Sequence, residues 1–277
     1  MRWTPGGRSK NLEDRRSGGG LGRGLGIGGT VVVLALSLIT GRNLFSDLGV
    51  EPGIGGAGAP MSAQDSAKQE TQVQFVSFVL DDAETTWSRI LAANNATFQA
   101  PKLVLFRNST QSACGVGQSA MGPFYCPLDQ KLYIDLGFYD ELSSRYGASG
   151  DFAQAYVLAH EIGHHVQHLV GTDAEMRQAQ QSNPGQANEL SVRLELQADC
   201  YAGVWAHSTQ KRNLLSEGDV EEALTAASAV GDDRIQERTT GRVNVDAFTH
   251  GSAAQRTQWF RRGFQSGDPR QCDTFRG

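Results

Sequence analysis

One short motif combines the side chains that hold and use a catalytic metal ion. Residues 160–164 read His-Glu-Ile-Gly-His, an H-E-x-x-H pattern. On a helix, residues four apart lie on one face, so His160 and His164 can bind the same tetrahedral Zn²⁺ ion. Glu161 lies beside them, where its carboxylate can act as a general base on a water molecule. The motif predicts a hydrolytic centre with one Zn²⁺ per chain.

A third metal ligand is expected from a second helical segment. Gln167 and Val170 stand where the metzincin pattern requires Gly and His, so that pattern is excluded. Residues 195–199 read Glu-Leu-Gln-Ala-Asp. Glu195 can complete a ligand set of two His and one Glu, and Asp199 can accept a hydrogen bond from the outer nitrogen of a ligand histidine. Carboxylates on the interior face of a helix need such a cation or partner, because burying an unpaired charge is costly.

The remaining histidines near the motif carry more open interpretations. His165 and His168 are expected off the metal, as polar surface residues on the flank of the helix. His250 precedes a predicted helix and can stabilise an oxyanion at the metal. Capping or core packing explains His250 equally well.

The spacing of apolar residues places these side chains on helices. Residues 151–170 repeat apolar side chains at steps of three and four, with Asp151 as the expected cap and Gly171 as the C-terminal stop. A second helix is expected over residues 188–207. Short strands are expected over residues 102–107 and 131–136, and further helices over residues 216–230 and 253–264. These elements predict an α+β domain, mostly helical with a small sheet.

The N-terminal region differs from the rest of the chain. Residues 1–23 are basic, and the 18 residues from 24 to 41 carry no charge, enough for about 27 Å of helix, close to the thickness of a bilayer core. We therefore predict a cytoplasmic tail over 1–23, an uncleaved transmembrane anchor over 24–45, a flexible linker over 46–71 and a metallopeptidase domain over 72–277. That domain would lie on the extracytoplasmic side of a bacterial inner membrane. A cleaved signal peptide and a buried core helix are the alternatives.

Four cysteines follow the predicted anchor: Cys114, Cys126, Cys200 and Cys272. An even number in an exported domain favours two disulfides, and pairing Cys114 with Cys126 and Cys200 with Cys272 is the simplest of three connectivities. Four buried free thiols are the alternative. No Cys-x-x-Cys occurs, which argues against a zinc site built from cysteines.

The composition excludes several classes of protein. The chain of 277 residues has a net charge of −5, with 39% hydrophobic and 20% charged residues. A disordered polyelectrolyte needs lower hydrophobicity with a larger net charge, and a nucleic-acid binder usually carries a basic domain or stripe. The expected partners are a peptide or protein substrate and, through the anchor, the membrane, with no nucleic acid. Nothing in the sequence indicates an oligomeric state.

These segments together resemble the bacterial neutral zinc metallopeptidases, membrane-anchored proteins with a gluzincin-like site. The resemblance extends over nearly the whole chain. It depends on residues 11–16 (NLEDRR), 114–142, 160–165 (HEIGHH), 195–203 (ELQADCYAG), 231–233 (GDD) and 249–251, with Trp259 and Phe260. The resemblance implies the zincin fold, with His160, His164 and Glu195 as metal ligands and Glu161 as the catalytic base. In that fold, one of the two predicted strands can border the cleft and pair with an extended peptide, although ordinary sheet packing explains both strands equally well.

The sequence thus predicts a membrane-tethered zinc peptidase in which Glu161 takes a proton from the attacking water and passes it to the leaving amine. The alternative is a zinc-stabilised, catalytically silent binding or assembly protein at the membrane. A third interpretation keeps hydrolysis but changes the bond, for example to an amide in cell-wall material. No carbohydrate-binding feature favours it.

Overall fold

The computed structural model describes residues 1–16 and 63–275 of the chain. The strands are β1 (Leu12–Asp14), β2 (Lys102–Phe106), β3 (Ser109–Ser112), β4 (Gly115–Gln118), β5 (Phe124–Cys126) and β6 (Lys131–Asp135). The helices are α1 (Ala63–Ala93), α2 (Gly137–Ser144), α3 (Asp151–Val170), α4 (Thr172–Ser182), α5 (Ala187–Lys211), α6 (Asp219–Ala229), α7 (Asp232–Thr240) and α8 (Ala253–Ser266). The described residues are mostly helical with a small sheet, which confirms the predicted α+β class.

Four of the strands form one mixed sheet, in the order β1-β2-β6-β5. β1, β2 and β6 run parallel, β5 runs antiparallel to β6, and β3 and β4 form a separate hairpin. The predicted strands are confirmed as β2 and β6, but both are interior strands of the sheet. Among the described strands, the edges of this sheet are therefore β1 and β5, neither of which the sequence predicted.

The two helices that carry the motifs lie close to their predicted bounds. α3 spans the predicted residues and ends at Gly171, whose φ of 86° closes the helix in the left-handed conformation. α5 extends beyond the predicted range at both ends. Asp151 is not the cap of α3. The backbone N–H of Phe152 instead donates to Glu222 of α6 at 3.0 Å, while Asp151 pairs with the amino group of Met1.

The core lies between the sheet and the long helices, with α3 near its centre. Phe152 of α3 stacks on Trp205 of α5, with ring centroids 5.6 Å apart, and both side chains are buried. Leu103 and Ile134 bring the sheet into the same cluster. Burial of this apolar face supplies most of the stability of α3 and holds its polar motif at a defined position.

α5 and α8 approach each other closely because glycines face one another. A Cβ atom at Gly263 would lie 1.9 Å from the carbonyl oxygen of Cys200, and one at Gly203 would lie 2.1 Å from that of Phe260. Only glycine therefore fits at either position without moving the helices apart. This close packing brings the N-terminal half of α8 against the part of α5 that carries Glu195 and Asp199.

Both predicted disulfides are present. Cys114 pairs with Cys126 at an S–S distance of 2.01 Å, and Cys200 pairs with Cys272 at 2.02 Å. The first disulfide joins the β3–β4 hairpin to β5, and the second joins α5 to the segment after α8. The alternative of four free thiols is wrong.

Residues 1–16 belong to the same folded body as the helices that carry the motifs. β1 pairs in parallel with β2, with Leu12 opposite Leu103. The Trp3 ring packs edge-on against Phe75 of α1 at 5.2 Å between centroids. Residues 1–16 of the predicted basic tail therefore contribute strand β1 to the sheet and pack against α1, so they are not separate from the folded domain.

The predicted localisation is wrong. It required residues 1–23 in the cytoplasm and the metallopeptidase domain across the membrane, whereas β1 and β2 are neighbours in one sheet and so lie on one side of any membrane. Within the two described ranges, no helix combines the length and the hydropathy that a membrane span requires. The predicted anchor over 24–45 lies outside the described residues, as does most of the linker predicted over 46–71, and α1 begins within that linker.

Replacement of Trp3 by Ala tests whether the N-terminal segment stabilises the fold. Loss of the partly buried indole should lower the free energy of unfolding by about 1–3 kcal/mol. Arg2→Ala, at an exposed side chain, is the control, with an expected change within about 0.5 kcal/mol. The measurement is urea unfolding of the full-length chain. Equal midpoints for the two variants would show that this segment does not contribute to the fold.

The close contact between α5 and α8 predicts a loss of stability when a side chain is added at Gly263. Gly263→Ala should destabilise the chain by about 1–3 kcal/mol or more, because the added methyl group overlaps the backbone of α5. Gly185→Ala is the matched control, since a Cβ atom there meets nothing within 4 Å. Thermal unfolding of the two variants measures the difference. Similar melting temperatures would contradict the close packing.

Candidate active site

Three side chains from α3 and α5 bring their ligand atoms into one compact triangle. His160 Nε2 lies 3.2 Å from His164 Nε2 and 3.1 Å from Glu195 Oε2, and His164 Nε2 lies 3.4 Å from Glu195 Oε1. In a tetrahedral site with bonds of about 2.0–2.1 Å to zinc, ligand atoms are separated by about 3.3–3.4 Å. The triangle therefore has the size that one zinc ion requires, with a fourth direction left for water or substrate.

The outer nitrogen of His160 is held by a buried carboxylate. His160 Nδ1 lies 2.9 Å from Asp199 Oδ1, and Asp199 is fully buried. An ionised carboxylate only accepts hydrogen bonds, so Nδ1 must carry the proton. Nε2, which faces Glu195 and His164, is then the nitrogen that a metal ion can bind. The structure thus brings Asp199 to the outer nitrogen of His160.

The outer nitrogen of His164 is held by a residue that the sequence analysis missed. His164 Nδ1 donates to Gln167 Oε1 at 2.9 Å, and the Gln167 amide donates in turn to the Leu194 carbonyl oxygen at 2.7 Å. Gln167 had served only to exclude the metzincin pattern. The sequence did carry a signal for this contact, because a residue three positions after His164 lies on the same face of the helix.

The electrostatics of the triangle favour a cation. Burial lowers the pKa of His160, but the carboxylates of Asp199 and Glu195 outweigh burial and raise it above its usual value. Burial raises the pKa of Glu195, but His164 and His160 hold it well below its usual range. Because these carboxylates stabilise positive charge at the centre of the triangle, they provide the field that a divalent metal ion needs.

Glu161 lines the cavity that opens beside the triangle. The cavity has a volume of about 540 Å³ and is lined by the three ligand residues and, from β5, by Phe124 and Tyr125. The Glu161 side chain is buried, yet it makes no hydrogen bond or ion pair to the described part of the chain. A carboxylate without a protein partner at the wall of a cavity is available to a water molecule or substrate there.

His250 lines the same cavity and is oriented by Asp232. One oxygen of Asp232 accepts the backbone N–H groups of Thr249, His250 and Gly251 at 2.7, 2.6 and 3.0 Å. Its other oxygen lies 3.2 Å from His250 Nδ1. The hydrogen bond to Asp232 raises the pKa of His250, and the nearby Glu195 adds to that effect. Of the open interpretations, the structure excludes core burial, since the side chain is 51% exposed.

The two flanking histidines do not share one environment. His165 is buried, which corrects its prediction as a surface residue, and burial lowers its pKa to about 4. It lies 3.0 Å from the Tyr125 hydroxyl and donates to the Gln99 carbonyl oxygen at 2.6 Å, so it joins β5 to α3. His168 Nδ1 lies within hydrogen-bond distance of Asp173 Oδ2, at 2.9 Å, and His168 is not part of the triangle.

Comparison with known proteins identifies the family to which the chain belongs. The family described as "Putative neutral zinc metallopeptidase" matches residues 1–275. The chain belongs to this family. The match includes the N-terminal segment and all residues of the triangle, so the family resemblance found in the sequence is confirmed.

Several curated relatives cover most of the chain. The uncharacterized protein YpfJ of Escherichia coli (strain K12) is 48% identical over 288 aligned positions, which cover 99% of each chain. The uncharacterized protein Rv2575 of Mycobacterium tuberculosis (strain ATCC 25618 / H37Rv) is 43% identical over 249 positions, covering 82% of this chain and 84% of the relative. No solved structure matches the chain.

Removal of Glu195 should disrupt metal binding at the triangle. Glu195→Ala is expected to weaken zinc binding by more than the 10–100-fold loss typical of an outer hydrogen-bond partner, because a direct ligand is lost. Glu189→Ala, at an exposed glutamate of the same helix, should bind zinc like wild type. Competition with a chromophoric chelator measures both affinities. Equal zinc affinity in the two variants would remove Glu195 from the ligand set.

Proposed function

We propose that this protein is a zinc-dependent peptidase that hydrolyses peptide bonds at the triangle of His160, His164 and Glu195. The observation that carries the proposal is the combination of a zinc-sized ligand triangle with an unpartnered carboxylate, Glu161, at the wall of the same cavity. Membership of a family described as zinc metallopeptidases supports the same chemistry.

His160, His164 and Glu195 would hold one zinc ion through two imidazole nitrogens and a carboxylate. When bound, zinc supplies Lewis acidity that polarises a carbonyl group and acidifies water. Asp199 and Gln167 keep the protons of the two imidazoles on their outer nitrogens and orient both rings. These two residues thus determine which imidazole atoms face the metal.

Glu161 acts as the general base and then as the general acid. Its carboxylate takes a proton from the water molecule that attacks the scissile carbonyl carbon, and it returns that proton to the nitrogen of the leaving amine as the C–N bond breaks. Because no donor in the described ranges occupies the carboxylate, no hydrogen bond from these residues has to be broken first.

His250 stabilises the oxyanion that develops on the attacked carbonyl group. Its Nδ1 is held by Asp232, so Nε2 remains available as a donor within the cavity. The raised pKa of His250 increases the fraction of the charged imidazolium near neutral pH, and a charged donor stabilises an oxyanion better than a neutral one.

An extended peptide is the substrate that the cavity favours. β5 is an edge strand of the sheet, and its residues Phe124 and Tyr125 line the cavity. Backbone groups on the outer side of an edge strand can pair with a peptide in extended conformation, while neighbouring pockets take its side chains. We infer that substrate adds to β5, with the scissile bond at the triangle.

The Glu161→Gln variant tests this mechanism. It should retain zinc but lose about 10²–10⁴-fold in turnover, because the amide cannot accept the proton from water. The assay uses the full-length, zinc-loaded chain on a quenched pool of random peptides, with and without chelator. Glu175→Gln, at an exposed glutamate of α4, serves as the control and should match wild type.

The outcomes of this assay separate the candidate functions. Cleavage by wild type and Glu175→Gln, abolished by chelator and by Glu161→Gln, supports the peptidase. Full activity of Glu161→Gln would contradict the role of Glu161. Bound zinc with no cleavage by wild type would favour the alternative, a zinc-stabilised binding or assembly protein.

A further inference from the structure

A buried arginine adjoins the candidate metal centre and has no part in the proposed mechanism. Arg256, on the first half of α8, is 4% exposed. A guanidinium ion carries its charge at every accessible pH, so its burial demands an opposite charge close by. That charge belongs to Asp199 of α5, the residue that holds His160.

The guanidinium group contacts both oxygens of the Asp199 carboxylate. Arg256 Nε donates to Asp199 Oδ2 at 2.8 Å, and Nη2 donates to Oδ1 at 3.0 Å. A two-point contact of this kind fixes the plane of the carboxylate as well as its position. Oδ1 is the oxygen that faces His160 Nδ1, so the contact also fixes the direction from which His160 is held.

A tyrosine closes the same network. Arg256 Nη2 donates to the hydroxyl oxygen of Tyr156 at 3.2 Å, and that hydroxyl donates to Asp199 Oδ1. Tyr156 lies one turn before His160 on α3. Asp199 Oδ1 therefore accepts from His160, Arg256 and Tyr156 at once, and it cannot rotate away from His160 without breaking the contacts with the other two.

Helix packing explains how Arg256 reaches this point. Arg256 and Gly263 are two turns apart on α8, and Asp199 and Gly203 are one turn apart on α5, so each pair shares a helix face. The glycines allow the two backbones to touch, which brings the arginine and the aspartate together. A further hydrogen bond, from Arg256 Nη1 to the Val230 carbonyl oxygen at 3.3 Å, anchors the guanidinium to the end of α6.

We propose that Arg256 is a positioning residue of the metal centre: it clamps Asp199, and through Asp199 it holds His160 with Nε2 directed at the metal. The charges agree with this role. The three carboxylates of Glu161, Glu195 and Asp199 are balanced by one divalent cation together with one guanidinium. The inference rests on the proposed zinc centre, but it does not require that the centre hydrolyse peptides.

The test measures zinc affinity of the full-length chain without any substrate. Arg256→Gln should lower zinc affinity by about 10–100-fold, the usual effect of losing an outer partner of a ligand. Arg256→Lys should recover part of the loss, because it keeps the charge but cannot contact both oxygens. Arg261→Gln, at an exposed arginine of the same helix, is the control and should bind zinc like wild type.

A double-mutant cycle separates positioning from a general loss of structure. If Arg256 acts through Asp199, then adding Arg256→Gln to an Asp199→Asn chain should lower zinc affinity by no more than about twofold further. Fully additive losses would overturn the proposal, as would wild-type zinc affinity in Arg256→Gln. The visible spectrum of the cobalt-substituted chain should also change in Arg256→Gln and stay unchanged in Arg261→Gln.

Tyr156→Phe keeps the proposal testable if Arg256→Gln does not fold. It removes only the hydroxyl that forms hydrogen bonds with both Arg256 and Asp199, and a smaller but measurable loss of zinc affinity, of about 3–10-fold, is expected. No loss in this variant would contradict the network. Failure of the peptidase proposal would be seen separately, as zinc-bound wild type that cleaves no peptide while the affinity differences remain.

Discussion

Compensation of the buried Asp199 carboxylate is the constraint on which the rest of the site depends. A charge without solvent is tolerated only with an opposite charge and hydrogen-bond donors around it. Those donors come from two helices, Tyr156 and His160 from α3 and Arg256 from α8, while the acceptor Asp199 belongs to α5. Because each donor belongs to a different turn or helix, satisfying one carboxylate fixes the relative position of all three helices.

The same constraint explains features that lie outside the ligand triangle. The Gly203 and Gly263 contact lets α8 approach α5, and the disulfide between Cys200 and Cys272 holds the segment after α8 against the same turn of α5. On the other side of the cavity, His165 ties Tyr125 of β5 to α3. The cleft is therefore bounded by a rigid helical side and by the edge of the sheet. A site for hydrolysis gains from such rigidity, since its groups must be held in place before the substrate arrives.

Local patterns predicted the elements of the site well, because their signals lie within a few neighbouring residues. The bounds of α3, the strands β2 and β6 and both disulfides agree with the sequence analysis. The predictions for the cap of α3 and for the environment of His165 were wrong, because each depends on a distant segment. Glu222 accepts the first N–H of α3, and the Gln99 carbonyl oxygen accepts from His165. β1 is three residues long, too short for an alternating pattern, so its pairing with β2 left no signal in the sequence. The predicted localisation failed for that reason.

The sequence by itself determined the residue types of the metal triangle and the helical spacing that puts His160 and His164 on one face. It also determined the even cysteine count and the apolar periodicity that buries α3. Only the tertiary structure decided which groups complete the centre: Gln167 beside His164, Asp232 beside His250, and Arg256 beside Asp199. It also decided that β5 forms the edge beside the cavity and that residues 1–16 belong to the same sheet. The physical reason is that helical spacing is a property of adjacent residues, whereas the partner of a buried charge is chosen by the packing of segments far apart in the chain.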